Sequence, residues 1–407
     1  MKILIVIGDC LTTNSSANLC HLSYIRGMLD LGNEVDVLCA SEEGKKVDGS
    51  MKIPDGVRLF TYSGSSWYEK ISHSIHQGAG AVVPVNATTK SRKSFLSALK
   101  GRIKSFIRSL YGVYGIYAPF IRRAQKFQSN VEYDYIISIS SPASSHETAY
   151  RLIKKGRVKG KEWIQIWEDP WYADIYGLSH VEKIRRAEEK LLQKAEKVCY
   201  VSPLTLCNQQ QIFPLAAKKM YWQPLPTYYK NEETGNIPDS LTYGYFGDYV
   251  PASRNLAPFY KAAVQRKSNV YICGNPSNLF QETDTVHIYP RLPLQQLKPI
   301  EDRAGILVFL CNRAGGQIPG KIYQYSATDK VILFILDGTK EEKQVLKEYF
   351  AAFNRYIFCE NDEEDILRAM RLIEEGCFEG VCNQGLNDFE AKEIVHRILT
   401  HKSETAK

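Results

Sequence analysis

At 407 residues, 44% of them hydrophobic, the chain is long enough for two globular domains of roughly 150 to 200 residues each. Its ten cysteines are scattered and form no Cys-x-x-Cys pair, which argues against a disulfide framework or a cysteine metal site and for reduced, buried thiols. The formal net charge is +7, yet ten Lys and Arg and no Asp or Glu fall within 90–126, leaving 42 basic against 45 acidic residues elsewhere; the basic character is local and calls for a local partner.

The opening MKILIVIGD carries an apolar run too short for a secretory signal. No later run is long enough to cross a bilayer, so a cytoplasmic protein is expected. Residues 1–40 read as a strand (3–7), a polar loop (12–16), a helix (about 17–31) and a strand (35–39). Leu19, Leu22, Ile25, Met28 and Leu29 recur at helical spacing, and Gly32 caps the helix. Gly8 is followed by Asp-Cys-Leu rather than by further glycines, so the dinucleotide fingerprint is missing and no nicotinamide or flavin cofactor is expected.

A third strand is expected at 57–62, and then a long Gly-, Ser- and Thr-rich loop over 63–94. In the basic stretch, Phe95, Leu96, Leu99, Ile103, Phe106, Ile107 and Leu110 recur at three- and four-residue steps. Lys93, Lys100, Lys104 and Arg108 flank that stripe. A broad apolar face edged with cations suits a helix lying on an anionic membrane, and Tyr111, Tyr114 and Tyr117 suit the headgroup level. A core-packed helix with a solvated basic face is the alternative. Nucleic acid is not expected, because the apolar stripe is too continuous for a phosphate-tracking surface and no nucleic-acid module is recognisable.

Strands at 134–139 and 163–167 end in SSPASSHETAYRLIKKG and EDPWYADIYG. They deliver His146 and the Glu168–Asp169–Trp171 cluster to one sheet edge, where open α/β sheets bind ligands. A helix at 181–194 and a strand at 198–201 complete a first domain, 1–225. The polar, proline-broken stretch 226–240 reads as a linker, and a second domain, 241–385, follows. It opens with LTYGYFGDYVPASRNLAPFYKAA, a strand, a glycine-bearing loop and a helix, with Gly247 and Arg254 bracketing the loop. Further strands fall at 270–273 and 286–289, and a helix at 365–375.

The most informative stretch is 305–336. Residues 306–310 form a short β-branched and aromatic run, the pattern of a buried parallel strand. The turn 312–316 holds adjacent glycines, Gly315 and Gly316. Pro319 suits the first turn of a helix running to about residue 328, and a second buried strand follows at 331–336. Glycines at a helix start let an anion approach unpaired N–H groups and the positive end of the dipole. Lys321 adds a full charge there. Gln324 shares its helix face and offers an amide to a sugar hydroxyl, and Arg313 precedes the glycines. An ordinary doubly wound unit with a Gly-rich turn is the plainer reading.

IPGKIYQYSATDKVIL resembles the donor-site helix of GT-B glycosyltransferases, in particular glycosyltransferase family 4, whose bacterial members often read "iPxKlxEYxaxxkPil". Ile318, Pro319, Lys321, Tyr325 and the following strand carry the match. Where many of these enzymes have Glu, seven residues and Glu, this chain has Gly316 and Gln324. The resemblance implies an α/β protein of GT-B architecture, two Rossmann-like doubly wound domains facing a cleft, with a helix in 386–407 returning to the first domain. It implies a donor site at Arg254, Arg313, Gly315, Gly316, Gln317, Lys321 and Gln324, with Asp248 standing where an arginine is often found. It also places Thr13, Asn14, Ser15 and Trp171 on the acceptor side, with His146 in proton transfer or sugar bonding and Asp169 orienting the acceptor hydroxyl. A solvated Ser/Thr turn is the alternative for 12–16. The implied activity is transfer from a nucleotide-sugar, a UDP-sugar first, to a glycan or lipid-linked acceptor of the cell envelope at the inner face of the membrane. No cofactor or metal is required, consistent with the lack of an Asp-x-Asp motif. A non-catalytic sugar-binding or scaffold subunit, and a sugar-nucleotide epimerase, are the rival readings.

Overall fold

The computed structural model describes residues 1–65, 112–174, 181–228, 241–377 and 380–402. Two parallel sheets organise them. The first has seven strands, β1 (Lys2–Ile7), β2 (Glu34–Ala40), β3 (Val57–Tyr62), β4 (Glu132–Ser140), β5 (Lys159–Trp167), β6 (Lys197–Tyr200) and β7 (Met220–Trp222), in the order β3-β2-β1-β4-β5-β6-β7. The second has six, β8 (Thr242–Phe246), β9 (Asn269–Cys273), β10 (Val286–Tyr289), β11 (Ile306–Leu310), β12 (Val331–Leu336) and β13 (Ile357–Glu360), ordered β10-β9-β8-β11-β12-β13.

The strands form where apolar runs can be buried on both faces. Ile3 to Ile7 are all 0% exposed, as are Ile332 to Ile335, and each such side chain contributes about 1.5–3 kcal/mol on burial. In each sheet the strand order reverses once, between β1 and β4 and between β8 and β11. At such a switch point neighbouring loops diverge and leave a crevice for a ligand.

The helices are α1 (Ser16–Asp30), α2 (Ala118–Ala124), α3 (Ser144–Lys154), α4 (Glu182–Lys194), α5 (Pro203–Ile212), α6 (Ala257–Arg266), α7 (Leu294–Arg303), α8 (Lys321–Ser326), α9 (Lys340–Ala351), α10 (Glu363–Glu374) and α11 (Ala391–Thr400). Local chemistry sets their starts. Ser15 caps α1 by accepting the Asn18 N–H, Ser202 does so for α5 with Pro203 at the first turn, and Thr339 and Glu342 form a reciprocal capping box at α9. The helix expected over 319–328 is shorter. It spans six residues, and Pro319 and Gly320 precede it without a side-chain cap. A helix of fewer than two turns adds little dipole, so any anion bound there relies on side chains.

The chain falls into two compact units. The first holds 1–13, 32–172 and 180–198, and the second 14–31, 173–179 and 199–407. Within the second, α1 packs on α11. A Cβ on Gly27 would lie 2.3 Å from the Ala391 carbonyl oxygen, so only glycine allows the two helices this approach.

Of the basic stretch 90–126, residues 90–111 lie outside the described residues, and with them the apolar stripe from Phe95 to Leu110 and its flanking Lys93, Lys100, Lys104 and Arg108. In the described remainder, α2 buries Ala118, Phe120, Ile121 and Ala124. Its Arg123 donates to the carbonyls of Ser63 and Ser65 at 2.9 and 2.8 Å. Among the described residues no helix is long and apolar enough to cross a membrane.

Candidate functional site

In the second unit, the loops after β8 and β11 meet through side chains. Arg254 lies in the loop leading into α6. Its Nε and Nη2 donate to Asn312 Oδ1 at 3.1 and 2.8 Å, and its Nη1 donates to the Asp248 carbonyl at 3.0 Å. Asn312, 8% exposed, turns its amide nitrogen to the Gln317 carbonyl at 3.0 Å. One amide thus orients a guanidinium and pins the glycine-bearing turn.

Asp248 is a second hub. Its carboxylate accepts the Asn275 N–H at 2.9 Å and faces Arg291 at 3.4 Å. The adjacent Gly247 carbonyl comes so near Gly274 that a Cβ there would lie 2.0 Å away. The Tyr325 hydroxyl reaches the backbone of Phe246, the last residue of β8. The last turn of α8 is thereby fixed to the same sheet edge. Lys321 sits 5.8 Å from the Tyr325 ring centroid, in cation–π range.

The remaining expected donor residues are placed as follows. Arg313 is exposed, donating its backbone N–H to Ser253 O at 2.9 Å and its Nη1 to Pro251 O at 3.2 Å. Gly315 and Gly316 have φ of 96° and 69°, the left-handed region that favours glycine. The Gly316 carbonyl accepts the hydroxyls of Ser202 at 2.5 Å and Thr205 at 3.3 Å, at the start of α5. Gln317 is buried. Gln324 Oε1 accepts the Tyr228 N–H at 2.9 Å. The two positions where the resembling family has glutamates are therefore both engaged in internal bonds.

In the first unit, Asp169 is half-buried and accepts the Ser141 hydroxyl at 3.3 Å. This links the ends of β4 and β5. His146, expected at the open sheet edge, lies in the interior at 0% exposure. Its Nδ1 is 2.7 Å from Ser138 Oγ, which also accepts the Trp163 indole N–H at 2.9 Å. Its ring lies 4.1 Å from that of Trp167. The physical reason is that the first turn of α3 packs onto the sheet and carries the ring inward. Burial holds the imidazole well below its ordinary pKa, so it is neutral. Thr13 donates to the Cys10 carbonyl at 2.8 Å in the first unit. Asn14 and the α1 cap Ser15 belong to the second. Trp171 packs against Tyr114, with ring centroids 5.1 Å apart.

Glu168, 8% exposed, is the strongest electrostatic anomaly of this edge. Burial, and then the Asp169 charge, push its carboxyl well above the usual range. Below that range folded and unfolded chains both hold the proton. As pH rises through it the unfolded chain ionises while the folded one does not, so stability falls. Glu168→Gln should raise stability at pH 7 and flatten its decline from about pH 4 upward, the ordinary carboxylate range. Melting temperatures across that range check this, and parallel curves for the two proteins would refute it.

Four groups escaped sequence reasoning: Asn312, Arg291, Tyr228 and Glu188. The last, 0% exposed, accepts the backbone N–H groups of Trp171 and Tyr172 at 3.4 and 2.6 Å. Arg291 was the most accessible to notice, a cation just past a strand end.

No known protein family matches the chain, and no curated protein matches it by sequence. Solved structures do resemble it. A sucrose-phosphate synthase from Thermosynechococcus elongatus aligns at a TM-score of 0.57 with 11% identity, over 98% of this chain and 94% of its own. WaaG, a glycosyltransferase involved in lipopolysaccharide biosynthesis, aligns at 0.50 with 10% identity over 99% and 96%. An E. coli trehalose-6-phosphate structure bound with UDP-2-fluoro glucose aligns at 0.50 with 9% identity over 98% and 95%. At these identities the likeness speaks for the fold. With a Rossmann-like sheet in each half and matches that run nearly end to end, the chain has the GT-B fold.

Proposed function

We propose that this protein is a glycosyltransferase. It moves a sugar from a nucleotide-sugar, a UDP-sugar first, to a glycan or lipid-linked acceptor in cell-envelope polysaccharide synthesis. The observation that carries the reading is the Arg254 guanidinium, oriented by Asn312 and Asp248 at the switch point of the second sheet. A guanidinium matches the paired oxygens of a diphosphate. Arg254, Lys321 and Arg313 would take up the charge that develops on the leaving diphosphate, a role that asks for no metal. Gly315, Gly316 and Gln317 shape the turn beside them. At the acceptor end Asp169 orients the attacking hydroxyl, with Trp171 and Thr13 of the same unit contributing to the acceptor side. The neutral, interior His146 acts by holding the end of β4. The similar structures support this reading, one being bound with UDP-2-fluoro glucose and another acting in lipopolysaccharide biosynthesis.

A second reading rests on a specific observation. Gly316 and Gln324 both spend their polar groups on internal partners, as a non-catalytic sugar-binding or scaffold subunit would tolerate. A screen of UDP-, GDP-, dTDP- and CMP-sugars, read by calorimetry and by turnover, separates the cases. Transfer or donor hydrolysis supports the enzyme, tight binding without turnover supports the scaffold, and isomerised donor marks an epimerase. No binding at all would remove the reading.

Contact with an anionic membrane through 90–126 is part of the proposal and rests on the sequence. Replacing Lys100, Lys104 and Arg108 by alanine removes three charges, each worth about 1 kcal/mol near an anionic surface. The triple variant should no longer sediment with phosphatidylserine vesicles, and unchanged sedimentation would remove this part.

A further inference from the structure

Two half-buried aromatic residues in the first unit, one by its hydroxyl and one by its backbone, are held by carboxylates that the fold has taken out of water. Tyr114 and Trp171 pack with their planes 31° apart. The Tyr114 hydroxyl donates to Glu147 Oε2 at 3.0 Å. Glu147 is 3% exposed and is neutralised by Arg151 at 2.6 Å and Lys190 at 3.7 Å. Trp171 and the next residue give their backbone N–H groups to Glu188, which is 0% exposed. Taking a carboxylate out of water is costly even when it is paired. Two are buried here, one on the Tyr114 hydroxyl and one on the backbone that carries Trp171, and neither aromatic residue is itself a core residue. That pattern is preorganisation of a surface, since a merely structural aromatic pair orders itself by packing.

The surroundings select the ligand. Asp169, two residues before Trp171, is half-buried and accepts the Ser141 hydroxyl. Glu147 is balanced by its two cations, so the negative charge offered beside the rings is that of Asp169, which disfavours a phosphorylated or carboxylated molecule there. A neutral pyranose fits both features. Its C–H face lies flat on an aromatic plane, and its hydroxyls donate to carboxylate oxygens.

We propose that Tyr114 and Trp171 form the stacking wall for a neutral pyranose ring, with Asp169 accepting one of its hydroxyls. Calling that ring the acceptor sugar rests on the transferase reading; the wall itself does not. Glu147 and Glu188 are positioning residues, the first holding the Tyr114 hydroxyl and the second the backbone at Trp171.

The test is saturation-transfer NMR on the full chain with methyl glucoside, galactoside, mannoside and N-acetylglucosaminide, each beside its 6-phosphate, and with uridine and adenosine. At least one methyl pyranoside should receive saturation on its ring protons. Its 6-phosphate should bind about tenfold more weakly, as like charge nearby demands. Trp171→Ala and Tyr114→Ala should abolish the signal, and Tyr114→Phe, which keeps the ring, should retain it. Asp169→Asn, which leaves the wall intact, should weaken binding several-fold. Should the alanine variants fail to fold, the Phe and Asn variants decide. The proposal is overturned if no pyranoside gives a signal, if the signal survives loss of Trp171, or if a nucleoside outcompetes every pyranoside at the wall. Nucleotide-sugar binding is measured separately by calorimetry. Pyranoside without nucleotide-sugar binding would keep the wall and remove the transferase, and the reverse would remove the wall alone.

Discussion

Arg254→Ala should lower the affinity for a nucleoside diphosphate by about tenfold or more while leaving the free nucleoside unaffected, since one charge-assisted bond contributes about 1.5–3 kcal/mol. The expectation follows from how the guanidinium is held. Nε and Nη2 converge on one Asn312 oxygen and Nη1 on the Asp248 carbonyl, so the fork is aimed before any ligand arrives, and the ordering cost is met in folding. Asn312→Asp is the sharper variant. It keeps the shape but sets a carboxylate within 3.1 Å of the same guanidinium nitrogens, so the charge offered to the diphosphate is cancelled. The loss should match that of Arg254→Ala at pH 7. Protonation of the new carboxyl should restore binding as pH falls, and because arginine depresses that pKa, recovery lies below the ordinary value of about 3.9. The wild-type protein should show no such recovery. Lys321→Ala should produce a second, separate loss for the diphosphate. Calorimetry with uridine and UDP reads all three, and equal losses for the two ligands would show that these residues do not meet phosphate.

Gly316→Glu, which writes in the acidic residue found at this place in the resembling family, should destabilise the protein strongly. At φ 69° a side chain is strained, a cost of about 1–3 kcal/mol. Its Cβ would also meet the Leu204 Cβ at 2.8 Å and the backbone of Leu204 and Thr205 at 3.3 Å, and overpacking of that kind adds about 1–3 kcal/mol. The Ser202 and Thr205 hydroxyls would then risk losing the carbonyl they share. The sum, about 2–6 kcal/mol, is a large part of the stability of an ordinary domain. Urea denaturation measures it, and a variant as stable as the parent would mean that this turn moves freely. The missing glutamate is, on this account, a consequence of how closely the turn lies on α5.

Much of the fold could be read from the chain because its central strands are buried apolar runs, as in β11 and β12, while the less buried edge strands β3 and β10 still carry β-branched and aromatic residues. The expected strands at 57–62, 286–289, 306–310 and 331–336 match β3, β10, β11 and β12 to the residue. β4 and β5 run longer than their apolar cores, since the ladder also pairs Glu132 with Lys159 and Tyr133 with Gly160. α7 was not legible: it buries no residue and carries Pro299 inside. α5 was not legible either: prolines stand at its start and just past its end, although the first of them, Pro203, opens the helix.

At the site, cations on loops after strands could be recognised by charge alone, as Arg254 and Lys321 were. Asn312 could not, because its value lies in a partner 58 residues away. His146 shows the converse limit. Spacing from a strand end assigns a residue to a helix start, but only the contacts with Ser138 and Trp167 decide which way the ring turns.

The residue at which the chain passes from one sheet towards the other is itself nailed down. Arg26 donates to the Tyr228 carbonyl at 2.8 Å and stacks over its ring at 5.1 Å, while Gln324 takes the Tyr228 N–H. With α1 closed on α11 through Gly27, the helix between the first two strands of the chain is wedded to its carboxyl end. No single scission can separate such halves. A chimera that swaps donor specificity by joining foreign sequence at residue 241 would tear α1 and Tyr228 from their mates, so a working hybrid must import 14–31 and 199–228 together with the second sheet.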